Sequence, residues 1–192
     1  MTIDDSDARL WEQKIEEGIR SFLRVIGSSE DPHVQDTPQR FIKSLKEYFS
    51  GVHITPQSIL RTDFDHENYN EMILVKNIQF VSFCAHHLIP FMGKVHFGYI
   101  PDKRIVGLSK IPGLVEALSH RPQVQERLTQ QIADNFNYIV KPKGCGVVIE
   151  ATHMCMAIRG VKKENALTVT TVLIGGFQLG TTKAEFLSQI KG

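Results

Sequence analysis

Residues 81–91, Val-Ser-Phe-Cys-Ala-His-His-Leu-Ile-Pro-Phe, set the organisation of the chain. They place Cys84, His86 and His87 directly after the alternating apolar stretch 72–80, so a thiol and two imidazoles stand at the end of a strand. Such a group suits a soft divalent metal, and Cys84 and His87, three residues apart, can reach one ion across a tight turn. Two ligands do not complete a site. Far downstream, residues 152–156, Thr-His-Met-Cys-Met, offer a second group on another apolar, strand-like run. Together the Cys-x-x-His and His-x-Cys pairs read as a three-ligand zinc site whose fourth position is open to water. That is the catalytic pattern rather than the closed structural one.

Outward from this stretch, a strand is expected over 71–83 and another over 93–101, the latter with period-two alternation. On it, His96 reads as a residue of one sheet face rather than a ligand. Two further strands, 144–158 and 167–175, flank a charged turn at 159–165; Cys145 on the first reads as a buried thiol. Between the strand pairs come two helices. One opens at Ser109, read as its N-cap, so Lys110 falls in a first turn that attracts anions. The next runs from Pro122 to about Val140, with Gln125 and Glu126 at its start. By itself Glu126 is a carboxylate facing a helix dipole.

The N-terminal part is helical. Leu10, Trp11, Ile15, Ile19, Phe22, Leu23 and Ile26 recur at near-helical spacing over 6–26. A second helix begins at Thr37 as N-cap with Pro38 at its first position. Its Arg40 and Lys43 share one face, which by itself reads as a solvated basic edge. Residues 52–70, with Pro56, Asp63, Asp65, His66 and Asn68, read as a loop, and a short helix covers 183–190. The fold class is thus α+β: an antiparallel sheet with two helices on one face and an N-terminal helical extension. Residues 1–51 form the helical region and 52–192 the catalytic region of one structural domain.

Bulk properties narrow the partners. The 192 residues are 42% hydrophobic and 22% charged, ordinary for a globular protein. Lys and Arg total 22 against 21 Asp and Glu, a net charge of +1, so no global field favours nucleic acid or a membrane surface. No apolar run approaches the roughly 20 residues of a membrane span. The acidic start, Met1 to Asp5, lacks a signal-peptide core. Three cysteines, two of them wanted as thiolates, point to a reducing cytoplasm.

Four motifs occur in one order: Cys84-x-His86-His87; Gly107-Leu108-Ser109-Lys110; residues 121–129, Arg-Pro-Gln-Val-Gln-Glu-Arg-Leu-Thr; and residues 152–160, Thr-His-Met-Cys-Met-x-x-Arg-Gly. From about Thr37 onward the chain resembles the GTP cyclohydrolase I family. The resemblance implies the tunnelling fold, in which subunits close a ring barrel, with two five-membered rings stacked into a homodecamer and active sites between subunits. It implies GTP as substrate and 7,8-dihydroneopterin triphosphate and formate as products, the first step toward tetrahydrofolate and pterins. It also implies Zn2+ on Cys84, His87 and Cys155. His153 would protonate N7, His86 would work with Ser109 on the ribose, and Glu126 with Gln125 would read the guanine edge. Lys110 and Arg159, with Arg40 and Lys43 from a neighbouring subunit, would hold the triphosphate. Two positions depart from the family pattern, Ala85 for a Glu and Gly113 for an Arg. Two other readings share these residues: a zinc hydrolase of the same fold acting on another purine nucleotide, and a non-catalytic nucleotide- or pterin-binding assembly protein.

Overall fold

A computed structural model describes residues 5–60, 63–65 and 69–191. Met1 to Asp4, and His66 and Asn68 of the polar stretch, lie outside the described residues. The chain divides into two compact units, Met1–Phe49 and Ser50–Gly192.

In the first unit, α1 (Asp5–Val25) and α2 (Thr37–Tyr48) are two amphipathic helices. They are tied by Gln39 Nε2 donating to Glu16 Oε1 at 2.7 Å and by a Lys46–Glu12 ion pair. The cap of α2 falls one residue before the expected Thr37. Asp36 occupies it without a side-chain cap bond, because its carboxylate pairs with Arg40 one turn on, at 3.1 Å.

In the second unit, the 52–70 stretch is not all loop. A 3-10 turn at Ser50–His53 leads to the single turn α3 (Pro56–Ile59) and to β1 (Asp63–Asp65). The strands β2 (Ile73–Cys84) and β3 (Pro90–Ile100) form the expected hairpin, with its loop shorter and β3 three residues longer at its start than the sequence suggests. After β4 (Arg104–Val106), which pairs with β1, comes α4 (Lys110–Ser119). Next, β5 (Pro122–Gln123) displaces the start of the following helix, so α5 is Gln125–Val140. Finally β6 (Gly144–His153), α6 (Met154–Ala157), β7 (Leu167–Gly175) and α7 (Gly180–Lys191) complete the chain. The expected strand 144–158 therefore ends at His153, and a helical turn follows.

The sheet order is β5-β2-β3-β6-β7, antiparallel except where β5 runs parallel to the end of β2. Period-two alternation sends Phe91, Val95, Phe97 and Tyr99 of β3 and Cys145, Val147 and Ile149 of β6 to one face. Ile111, Leu114 and Leu118 of α4 and Leu128, Ile132 and Phe136 of α5 cover them, all essentially solvent-free. Burial pushes the Cys145 thiol up to about 12. On the other face Gly98 and Gly146 leave room for Phe177 and Phe186, since a Cβ at Gly146 would stand 2.6 Å from the Phe177 ring. Gly93 solves a closer problem: its absent Cβ would lie 1.8 Å from the Glu150 carbonyl oxygen on β6. Among the described residues no helix is long and apolar enough to cross a membrane.

Candidate active site and metal centre

The β2–β3 turn builds the first half of the site. Backbone amides of His87 and Leu88 donate to the Cys84 carbonyl at 3.2 and 2.8 Å, and Cys84 N–H donates to the Ile89 carbonyl at 2.9 Å. Closing so tight a turn puts Leu88 at φ 51°, a left-handed conformation that strains a non-glycine residue. The turn folds both imidazoles back on the thiol, with Cys84 Sγ 3.6 Å from His86 Nδ1 and 3.7 Å from His87 Nδ1.

The second half arrives with α6. His153 closes β6 opposite Phe91, and the helical turn after it brings Cys155 back toward β2. Ligand atoms of Cys84, His87 and Cys155 all lie within 4.8 Å of one another. Around one tetrahedral zinc, sulfur and nitrogen ligands stand roughly 3.5–3.8 Å apart, given bonds of about 2.3 and 2.0 Å. The 3.7 Å Cys84–His87 separation meets this, and no separation in the group calls for a closure of more than about 1 Å. The donor set fits too. Burial raises the Cys155 thiol, and the adjacent Cys84 thiol raises it further, a crowding that a dication offsets. Arg159 pulls in the opposite direction, so its charge reaches the same group.

The start of α5 is the third part, and β5 places it. Pairing of Pro122 and Gln123 with Phe83 and Cys84, reinforced by Ala85 N–H donating to the Gln123 carbonyl at 2.8 Å, lays Gln125 and Glu126 beside the turn. His153 feels Glu126: burial lowers its pKa, and the Glu126 carboxylate partly restores it. Gln125 is 1% exposed. Its Nε2 donates to the carbonyls of Ile149 (3.1 Å) and Thr168 (3.0 Å) and to Thr170 Oγ1 (3.1 Å). Its Oε1 lies 2.8 Å from His153 Nε2. The amide thus faces protein groups in this structure, where the sequence suggests a guanine contact. Sequence patterns gave no hint of these partners, nor of Phe91, whose ring lies parallel to His153.

Ser109 and Lys110 open α4. Ser109 stands at the N-cap position as expected, with helical φ −64° and ψ −19°, but its side chain makes no cap bond. A Gly107 carbonyl accepts from Lys110 N–H instead, at 2.8 Å. At Gly113 an added Cβ would stand 3.3 Å from Ile59 Cγ2, so that position faces α3. Arg40 and Lys43 belong to α2 of the other unit.

Comparison with known proteins adds an independent line. The family model for GTP cyclohydrolase I matches residues 15–191. The chain is 48% identical to GTP cyclohydrolase 1 of Chlorobaculum tepidum, covering 91% of this chain and 79% of that one. It is 45% identical to the protein of that name from Wolinella succinogenes, over 92% of this chain and 96% of that one. The counterpart from Aquifex aeolicus is 47% identical over 94% and 97%.

Proposed function

The chain belongs to the GTP cyclohydrolase I family, and we propose that it converts GTP and water to 7,8-dihydroneopterin triphosphate and formate at the site formed by the β2–β3 turn, α6 and the start of α5. The observation that supports this most is the convergence of Cys84, His87 and Cys155 beside His153 and Glu126.

Cys84, His87 and Cys155 would hold a zinc ion, which when bound supplies polarised water at neutral pH for attack at C8 of guanine. His153 donates a proton to N7, which makes C8 electrophilic. Glu126 accepts from N1–H and the 2-amino group, a donor pair that a carboxylate matches with two parallel bonds. His86 and Ser109 serve the later ribose steps. Lys110 and Arg159 hold the triphosphate, with Arg40 and Lys43 supplied by a neighbouring subunit.

Assembly follows from the same reading. Among the described residues, β7 pairs only with β6, and β2 is paired beyond β3 only at Phe83 and Cys84. Two such edges invite strands from other copies unless closed. Closure of five copies into a tunnelling-fold barrel, stacked as a decamer, removes both edges. Incubation of zinc-loaded protein with GTP tests the function: formate and, after oxidation, fluorescent neopterin are expected in equal amounts. Absence of formate overturns the reading, and formate without neopterin limits the reaction to ring opening.

A further inference from the structure

The orientation of the Gln125 amide follows from its partners. Backbone carbonyls only accept, so the amide end facing Ile149 O and Thr168 O must be the nitrogen. The opposite end, facing His153, is then the oxygen. A chain of hydroxyls agrees. Thr129 Oγ1 donates to the Gln125 backbone carbonyl at 2.7 Å, leaving it to accept from Thr170 Oγ1 at 2.6 Å, which in turn accepts from Gln125 Nε2 at 3.1 Å. Three acceptors share the two amide hydrogens, and a flipped amide would set oxygen against two carbonyls. Because Gln125 Oε1 can only accept, His153 Nε2 must carry a hydrogen.

The ring plane is fixed as well. His153 and Phe91 stack with centroids 4.6 Å apart and planes within 1°. Gln125 thus engages the Nε2 edge of a ring whose plane Phe91 sets, and Nδ1 lies on the opposite side of the ring.

We propose that Gln125 is a positioning residue that holds His153 with its hydrogen on Nε2, so that Nδ1 is the atom that passes the proton to the purine. The proposal rests on the role of His153 given above. In the step, the N–H bond at Nδ1 of the imidazolium breaks and an N–H bond forms at N7 of guanine. The electron pair stays on Nδ1, and the neutral imidazole keeps its Nε2–H bond to Gln125. A hydrogen bond to one ring nitrogen selects the tautomer and the orientation of an imidazole together.

The test has two arms. In the first, zinc-loaded protein labelled with 15N-histidine is studied by solid-state NMR of the sedimented assembly, with His153→Asn for assignment. Neutral His153 should show a protonated Nε2 and a bare Nδ1, and this needs no variant at Gln125. A protonated Nδ1, or an average of both forms, overturns the proposal. In the second arm, Gln125→Met removes the acceptor while keeping side-chain length. It should lower kcat on the order of 10- to 100-fold with KM for GTP nearly unchanged. Thr170→Val, which removes one of the amide's three acceptors and leaves both backbone carbonyls, should lower kcat by less than Gln125→Met does. A raised KM at unchanged kcat overturns the proposal, because it would make Gln125 a substrate contact. Failure of the wild-type protein to convert GTP would overturn the functional reading separately, and the spectrum would still decide the tautomer.

Discussion

The imidazole of His153 lies flat on the phenyl ring of Phe91, its cross-strand partner, and Phe91 is closed to solvent and meets Phe80 edge-on at 5.8 Å. A core aromatic thus continues directly into the site, so core packing sets the plane of a reacting group. Phe91→Leu keeps the position apolar but removes the stack. It should cost about 1–3 kcal/mol in urea unfolding. Measured well below the unfolding temperature, kcat should fall by more than KM changes. An unaltered kcat would show that Gln125 holds the ring without help.

Removal of one metal ligand separates site from scaffold. Cys155 lies on the single turn α6, outside the sheet ladder, and packs only at the margin of the core. Cys155→Ser should therefore lose bound zinc and activity while retaining the far-ultraviolet circular dichroism of the parent. Elemental analysis after gel filtration measures the metal. One zinc per chain retained by the variant would sink the ligand assignment.

The sequence made some of this legible and hid the rest for identifiable reasons. Cys84 and His87 announce themselves because their spacing is local, and the strand alternation of β3 shows its buried face directly. Cys155 is legible as a ligand but reads as part of a strand, because the single turn Met154–Ala157 is too short to show a helical period. Two paired residues of β5 lie below any periodicity, although they bring α5 to the site. Gln125 is the sharpest case. A glutamine in a first turn looks exposed, and its burial depends on carbonyls of β6 and β7 that only the tertiary fold brings near. Ser109 marks the helix start correctly, but the bond its hydroxyl could make is not formed, and the Gly107 carbonyl accepts from Lys110 N–H.

His96 offers a test of acid stability away from the proposed metal ligands. It is 4% exposed on β3, and its Nδ1 has no hydrogen-bond partner. Burial lowers its pKa; Glu150 on the neighbouring strand opposes this, whereas Lys94 and Lys76 reinforce it. The unfolded chain therefore binds a proton near pH 6.5 while the folded protein does not, so stability falls as pH drops below about 6.5 until the folded pKa is passed. His96→Leu should flatten that part of the slope. At pH 7.5 it should leave stability unchanged or raise it by up to about 1 kcal/mol, because an unpartnered buried polar atom is lost. Urea midpoints of both proteins from pH 5 to 8 measure the difference. A variant weakened by more than about 2 kcal/mol at pH 7.5 would mean that His96 makes a bond worth keeping.

Arg40 and Glu126 provide the test of a shared site. Glu126 lies in the second unit at the start of α5, where its charge reaches His153, whereas Arg40 lies on α2 of the first unit, exposed and paired with Asp36. An exposed pair of this kind contributes at most about 1 kcal/mol, so Arg40→Ala should leave stability almost untouched. If Arg40 holds a neighbour's triphosphate, its loss removes a charge-assisted contact worth roughly 1.5–3 kcal/mol and should raise KM for GTP about tenfold or more. Glu126→Ala alone should abolish turnover. Mixed assemblies of the two variants should then regain part of the wild-type rate, because some interfaces join an intact Arg40 to an intact Glu126. Tagged subunits and two-step affinity capture show that mixing has occurred. No regain in assemblies shown to be mixed would place both residues in the service of their own subunit.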